Sequence, residues 1–134
     1  MKAKKYIGQL ELINSKIEMR KNEIIFLNST VTSIGLQLKE INVMSSGNQH
    51  RFADTMAKIC DLETELEQLL TRKFNIIHTI ERITDAKAYT AIYLRYVNGF
   101  TIKEIADAMD VANRTVYVLL DKGIEELDSK LKMS

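Results

Sequence analysis

Apolar residues recur along the first third of the chain at alternating intervals of three and four: Leu10, Ile13, Ile17, Ile24, Leu27, Val31, Ile34, Leu38 and Ile41, interrupted only by Arg20. That spacing keeps one stripe of a helix facing a partner, and it predicts a coiled-coil seam over about Lys4 to Val43. At 1.5 Å per residue such a helix is about 60 Å long, too long to wrap a small compact body, so it projects or pairs along its length. Asn28 to Gly35 collects Ser, Thr, Val and Gly, all weak helix formers, and marks the place for a bend. Ser45-Ser-Gly-Asn-Gln-His50 lacks apolar residues and reads as a connection. From near Arg51 a second seam runs through Ile59, Leu62, Leu66, Leu69, Ile76, Ile80 and Ile83, interrupted by Lys73. Two long helices joined by a short loop lie antiparallel, so residues 1–84 predict a helical hairpin.

Each helix carries a further apolar stripe off its seam. Leu12, Met19 and Phe26 repeat by sevens on the first, and Leu70, Phe74 and Ile77 lie on the second. Two helices cannot cover both stripes, and wet apolar surface costs roughly 25 cal/mol per Å². A second copy closing a four-helix bundle would cover these six positions and make the hairpin a dimerisation element. The alternative is that later helices of the same chain fold back over them.

Beyond Ile83 the pattern shortens. Thr84-Asp85 supplies an N-cap, Ala86 to Val97 a helix, and Asn98-Gly99 its stop. Thr101-Ile-Lys-Glu104 is a capping box opening a helix of about two turns, with Ile102, Ile105, Ala106 and Met109 on one face. After Asp110-Val111-Ala112 a last helix follows, its buried stripe formed by Val116, Leu119, Leu120, Ile124, Leu127 and Leu131. A short capped helix, a tight turn with Val111 at its middle and a longer amphipathic helix make a helix-turn-helix pattern over residues 85–134. A helical cap on the coiled coil has the same spacing.

The composition agrees with an all-α fold, a long antiparallel hairpin followed by a three-helix helix-turn-helix domain. There is no proline, and 46% of the 134 residues are apolar against 28% charged. Nineteen Lys and Arg against eighteen Asp and Glu leave +1, so any nucleic-acid contact is local. From Lys87 onward seven basic residues (Lys87, Arg95, Lys103, Arg114, Lys122, Lys130, Lys132) face seven acidic ones (Glu104, Asp107, Asp110, Asp121, Glu125, Glu126, Asp128). A lone Cys60 excludes an internal disulfide and a cysteine zinc cage, suits a reducing cytoplasm, and reads as a small packed residue. No apolar run approaches the roughly 20 residues of a membrane span. His50 and His78 have no spaced ligand partners, and phosphate loops, nucleophile elbows and paired catalytic carboxylates are missing, so neither a metal, a cofactor nor an enzyme is expected. Lys2, Lys4 and Lys5 read as a frayed, solvated terminus.

The stretch Tyr96-Val-Asn-Gly-Phe100-Thr-Ile-Lys-Glu104-Ile-Ala-Asp-Ala-Met-Asp110-Val-Ala-Asn-Arg114-Thr-Val-Tyr-Val-Leu-Leu120-Asp-Lys-Gly-Ile-Glu-Glu-Leu127 resembles region 4 of sigma-70-type factors, which reads the −35 promoter element. With the hairpin ahead of it, the chain resembles small phage and prophage regulators, some of them activators of late genes. The resemblance implies that double-stranded DNA is the ligand, with RNA polymerase as a further partner, and that Asn113, Arg114, Thr115, Tyr117 and Val118 enter the major groove. By chemistry, Arg114 suits guanine or phosphate, Asn113 adenine, and Val118 or the Thr115 methyl a thymine methyl. Tyr117, Lys122, Thr101 and Lys103 are placed for phosphates. Two departures stand out: Ala112 where the family has a capping Ser or Thr, and Asp121 where a basic residue is usual.

Three readings follow: a DNA-binding transcriptional regulator acting as a homodimer or higher homo-oligomer, a sigma-like adaptor that binds polymerase or a sigma factor without reading bases, and a coiled-coil spacer. The first is the leading reading; the adaptor is the runner-up, with neutral charge, Ala112 and Asp121 in its favour.

Overall fold

The computed structural model describes residues 2–41 and 46–132, the side chains of 37–41, 46, 48 and 132 excepted. All the regular structure among them is helical: α1 (Lys2–Ile41), α2 (Ser46–Ile80), α3 (Ala86–Ile92) continued by a π-helical segment Tyr93–Val97, α4 (Ile102–Met109) and α5 (Asn113–Lys132). The all-α architecture, a long helix pair followed by short helices, is the one the hydrophobic periodicity predicts. No described helix is long and apolar enough to cross a membrane.

The chain divides into two compact units, one of Ser15–Thr71 and the other of Met1–Asn14 with Arg72–Ser134. In the first, α1 and α2 are antiparallel: Arg20 faces Glu65 across a 2.7 Å ion pair, while Ser33 and Ile34 lie by Arg51. Arg20, the interruption in the seam, also pairs with Glu23 at 2.8 Å. These pairs are about half in water and add little stability, so what they set is register. Ile17, Ile34, Ile59 and Leu69 are buried, whereas Ile24, Leu27, Val31, Leu62 and Leu66 are only half covered. Leu38 and Ile41 of the predicted seam lie outside the described side chains.

α1 runs as one helix through Asn28–Gly35, and there the Thr30 and Thr32 hydroxyls donate back to the Phe26 and Asn28 carbonyls at 3.1 and 3.0 Å, bonds of the kind that bend a helix without ending it. α2 begins at Ser46, five residues before the expected Arg51, because with no proline in the segment each added residue gains a backbone hydrogen bond once the helix is nucleated. Ser45 of the expected connection lies outside the described residues. Cys60 is exposed, not packed: it stands one residue past buried Ile59 and so points outward.

The second unit has the larger core, in which Ile7, Leu10, Ile80, Ile92, Ile105, Val116 and Leu127 lose essentially all contact with solvent. Ala3 is also buried, and its backbone N–H donates to Asp128 Oδ1 at 2.8 Å, so the start of α1 is held against α5 rather than frayed. α3 starts at Asp85, whose Oδ1 accepts from the Ala88 N–H at 2.9 Å. Its end widens into the π-helical segment, in which Asn98 N–H returns to Tyr93 O at 3.2 Å and Phe100 N–H to Leu94 O at 2.9 Å. Gly99 makes this reversal at φ +73°, a conformation that side chains with a Cβ rarely adopt. Asn14 Nδ2 donates to Val97 O at 3.4 Å and Arg95 Nη1 to Phe100 O at 2.9 Å, fastening the turn from both sides.

Candidate nucleic-acid interface

The capping box opens α4 as the sequence indicates. Thr101 Oγ1 accepts from the Glu104 N–H at 3.2 Å, and Glu104 Oε1 accepts from the Thr101 N–H at 3.1 Å. Ile105 and Ala106 are buried, and Ile102 and Met109 half-buried. α4 stops because Asp110 turns left-handed (φ 55°, ψ 51°), a conformation that Asp tolerates better than most residues. The Val111 N–H then reaches back to Ala106 O at 3.0 Å. These bonds close the tight turn and set α5 off in its new direction.

α5 has two faces. Val116, Leu119, Leu120, Gly123, Ile124 and Leu127 are buried, with Leu131 half-buried. Asn113, Arg114, Thr115, Tyr117, Val118, Asp121, Lys122 and Glu125 are exposed. Tyr117 and Val118 stay 57% and 59% exposed, large apolar side chains kept in water at the end of the helix that carries Arg114. Ala112 offers no side-chain oxygen to the first-turn N–H groups of α5; only its carbonyl takes part, accepting from Thr115 and Val116 at 3.0 and 3.2 Å. Thr101 and Lys103, at the start of α4, are exposed as well, and the Thr101 hydroxyl, while accepting from the Glu104 N–H, keeps its O–H to donate to a phosphate.

Lys122 is placed differently from the others. Its Nζ lies 2.8 Å from Asp85 Oδ2 at the corner between α2 and α3, an ion pair open to water that leaves the ammonium further N–H donors. One helical turn on, Glu126 Oε1 accepts from the Thr84 N–H at 2.8 Å and from the Thr84 hydroxyl. Lys130 pairs with Glu126 at 3.4 Å and donates to the Arg82 carbonyl. Three consecutive outward residues at i, i+4 and i+8 of α5 thus clamp the corner that precedes α3. Asp85 could be read as a cap from sequence, but its pairing with Lys122, 37 residues away, had no local signal.

This clamp titrates. The Lys122 hydrogen bond holds the Asp85 carboxyl below its ordinary 3.8, and the Thr84 hydroxyl and N–H hold Glu126 below 4.5. Asp85 in turn raises Lys122 above 10.5. A lowered carboxyl pKa stabilises the fold above the ordinary value and ceases to do so as pH falls through the folded one; the raised lysine works up to 10.5 and is lost above it. The melting temperature is therefore expected to fall below about pH 4. Asp85→Asn, which retains a capping side chain, should flatten part of that fall when melting is followed by circular dichroism from pH 2 to 7. An unchanged slope would show that the pair contributes nothing.

The unit that carries the helix-turn-helix holds thirteen basic and ten acidic residues, because the start of α1 adds Lys2, Lys4 and Lys5 against Glu11, and residues 72–86 add Arg72, Lys73 and Arg82 against Glu81 and Asp85. The hairpin unit holds six basic and eight acidic. The module that looked neutral from Lys87 onward thus sits in a unit of net +3.

Residues 87–127 match the Sigma-70, region 4 family model. No curated protein and no solved structure matches the chain. Over these residues the chain is similar to the sigma-type helix-turn-helix. Domains of this type bind both DNA and RNA polymerase.

Proposed function

We propose that the protein is a sequence-specific DNA-binding regulator of transcription that acts as a dimer through its hairpin, of the phage or prophage late-gene activator type that the whole chain resembles. One observation carries the reading: Asn113, Arg114, Thr115, Tyr117 and Val118 are all exposed at one end of α5, opposite its buried face. Asn113 and Arg114 bring hydrogen-bonding groups suited to base edges, and Val118 and the Thr115 methyl bring apolar contact for a thymine methyl. The cap-free first turn of α5, with Lys103 and Tyr117, is chemistry for backbone phosphates. Activator function, phage origin and dimeric state rest on the resemblance and on exposed apolar surface.

A net +3 on the unit neutralises few phosphates, and affinity for DNA grows with the number neutralised. One module alone therefore binds weakly, and two on a paired site bind far better. Arg114→Ala is expected to weaken binding to a selected operator by about 1–3 kcal/mol without changing the melting temperature. The check is a titration against sequences selected from a random DNA pool; equal affinity for the variant would remove Arg114 from the interface.

The adaptor reading keeps Ala112, which brings no capping oxygen to α5, and the exposed carboxylate of Asp121 in its favour. Salt separates the two. A DNA reader loses affinity linearly in log salt, whereas an adaptor that touches only polymerase shows no DNA affinity to lose.

A further inference from the structure

The hairpin unit leaves Met19 and Phe26 57% and 69% exposed, and Ile24, Leu27, Leu62 and Leu66 only half covered. Phe26 itself borders a groove of about 600 Å³ between α1 and α2, lined further by Leu27 and Leu62 and by Glu23, Lys58 and Asp61. A protruding ring and a receptive groove thus occupy one patch, and the rim carries both signs of charge. An interface about a two-fold axis has this requirement: each patch must be complementary to itself.

We infer that this patch is the docking site for a second copy of the chain, with Phe26 of each copy seated in the Leu27–Leu62 groove of the other and Lys58 facing Asp61 of the second copy across the axis. This deepens the dimeric DNA-binding reading and rests on it only for biological purpose. It also narrows the six stripe positions. Phe26 and Met19 belong to this unit and are open, Leu70 is half-buried there, and Leu12, Phe74 and Ile77 lie in the other unit.

The test is sedimentation equilibrium of the full chain and its variants, with gel-shift titration alongside. The wild type is expected at twice 15.4 kDa. Phe26→Glu, at a position open to water, should keep its helical circular dichroism while the dimer dissociation constant rises about a hundredfold or more, since a buried aromatic anchor is lost twice. Lys58→Glu alone should weaken the dimer several-fold, and adding Asp61→Lys in the same chain should restore it. Arg114→Ala should remain dimeric while losing DNA, so failure of the interface and failure of the DNA reading are separable. A monomeric wild type, a Phe26→Glu variant as dimeric as the wild type, or a monomer that uses Phe26 to bind RNA polymerase would each overturn the inference.

Discussion

Ile7→Ala is expected to destabilise the folded protein by about 2–5 kcal/mol, the cost of emptying a fully buried isoleucine site. Ile7 is 0% exposed and belongs, with Ala3 and Leu10, to the compact unit that contains the helix-turn-helix. Since folded domains are stable by only about 5–15 kcal/mol, the loss would remove a large part of the margin. Urea unfolding followed by circular dichroism measures it. Leu12→Ala, five residues on but 60% exposed, is the control and should stay within about 0.5 kcal/mol of wild type. DNA affinity should fall for Ile7→Ala only near its melting temperature, because the change does not touch the outward residues of α5. A variant as stable as wild type would mean that the first turns of α1 are not part of this core.

The second large effect is expected at Gly123. Helix propensity alone says that Gly123→Ala stabilises α5 by about 1 kcal/mol, since glycine is a poor mid-helix residue. Packing reverses the sign. A Cβ at this position would stand 2.7 Å from Ile92 Cγ1 and 3.3 Å from its Cδ1, with Ile83 Cδ1 at 3.5 Å. Cγ1 is anchored next to the backbone of a fully buried residue, so relief requires a new rotamer in a filled core. Overpacking costs typically 1–3 kcal/mol, enough to make alanine net destabilising, and Gly123→Leu should cost about 3 kcal/mol or more. Melting curves of both variants decide it. A higher melting temperature for alanine would show that α3 and α5 have room to separate.

Most of the fold was legible because helical periodicity is a local property. The capping box at Thr101 and Glu104, the stop at Gly99 and the two-turn length of α4 each rest on residues within a turn of one another, where backbone sterics and a single hydrogen bond decide the outcome. The buried stripe of α5 followed in the same way, and its outward residues followed as the complement. The early start of α2 was missed because Ser46–His50 has no apolar face to announce a helix, and helix propagation overrides weak propensity.

What escaped the sequence is long-range pairing. Nothing near Lys122 marks Asp85 as its partner, nothing near Asp128 marks the Ala3 N–H, and nothing in α5 says that Gly123 is there to admit Ile92. The open stripe is similar. Leu12, Met19, Phe26 and Phe74 repeat in a pattern that either a second copy or the later helices could cover, and only the assembled chain shows them 57–69% exposed.

The amino-acid order by itself determined the helices, their caps and turns, and the outward residues Asn113, Arg114, Thr115, Tyr117 and Val118, since these depend on neighbours three or four residues apart. Tertiary structure alone decided the charge of the unit that carries those residues. It brought Lys2, Lys4 and Lys5 from the far end of the chain to a module neutral by its own composition, and it drew Lys122 into a clamp. The physical reason is range: backbone hydrogen bonds are made locally, whereas electrostatic and packing energies depend on separation in space, which chain order does not reveal.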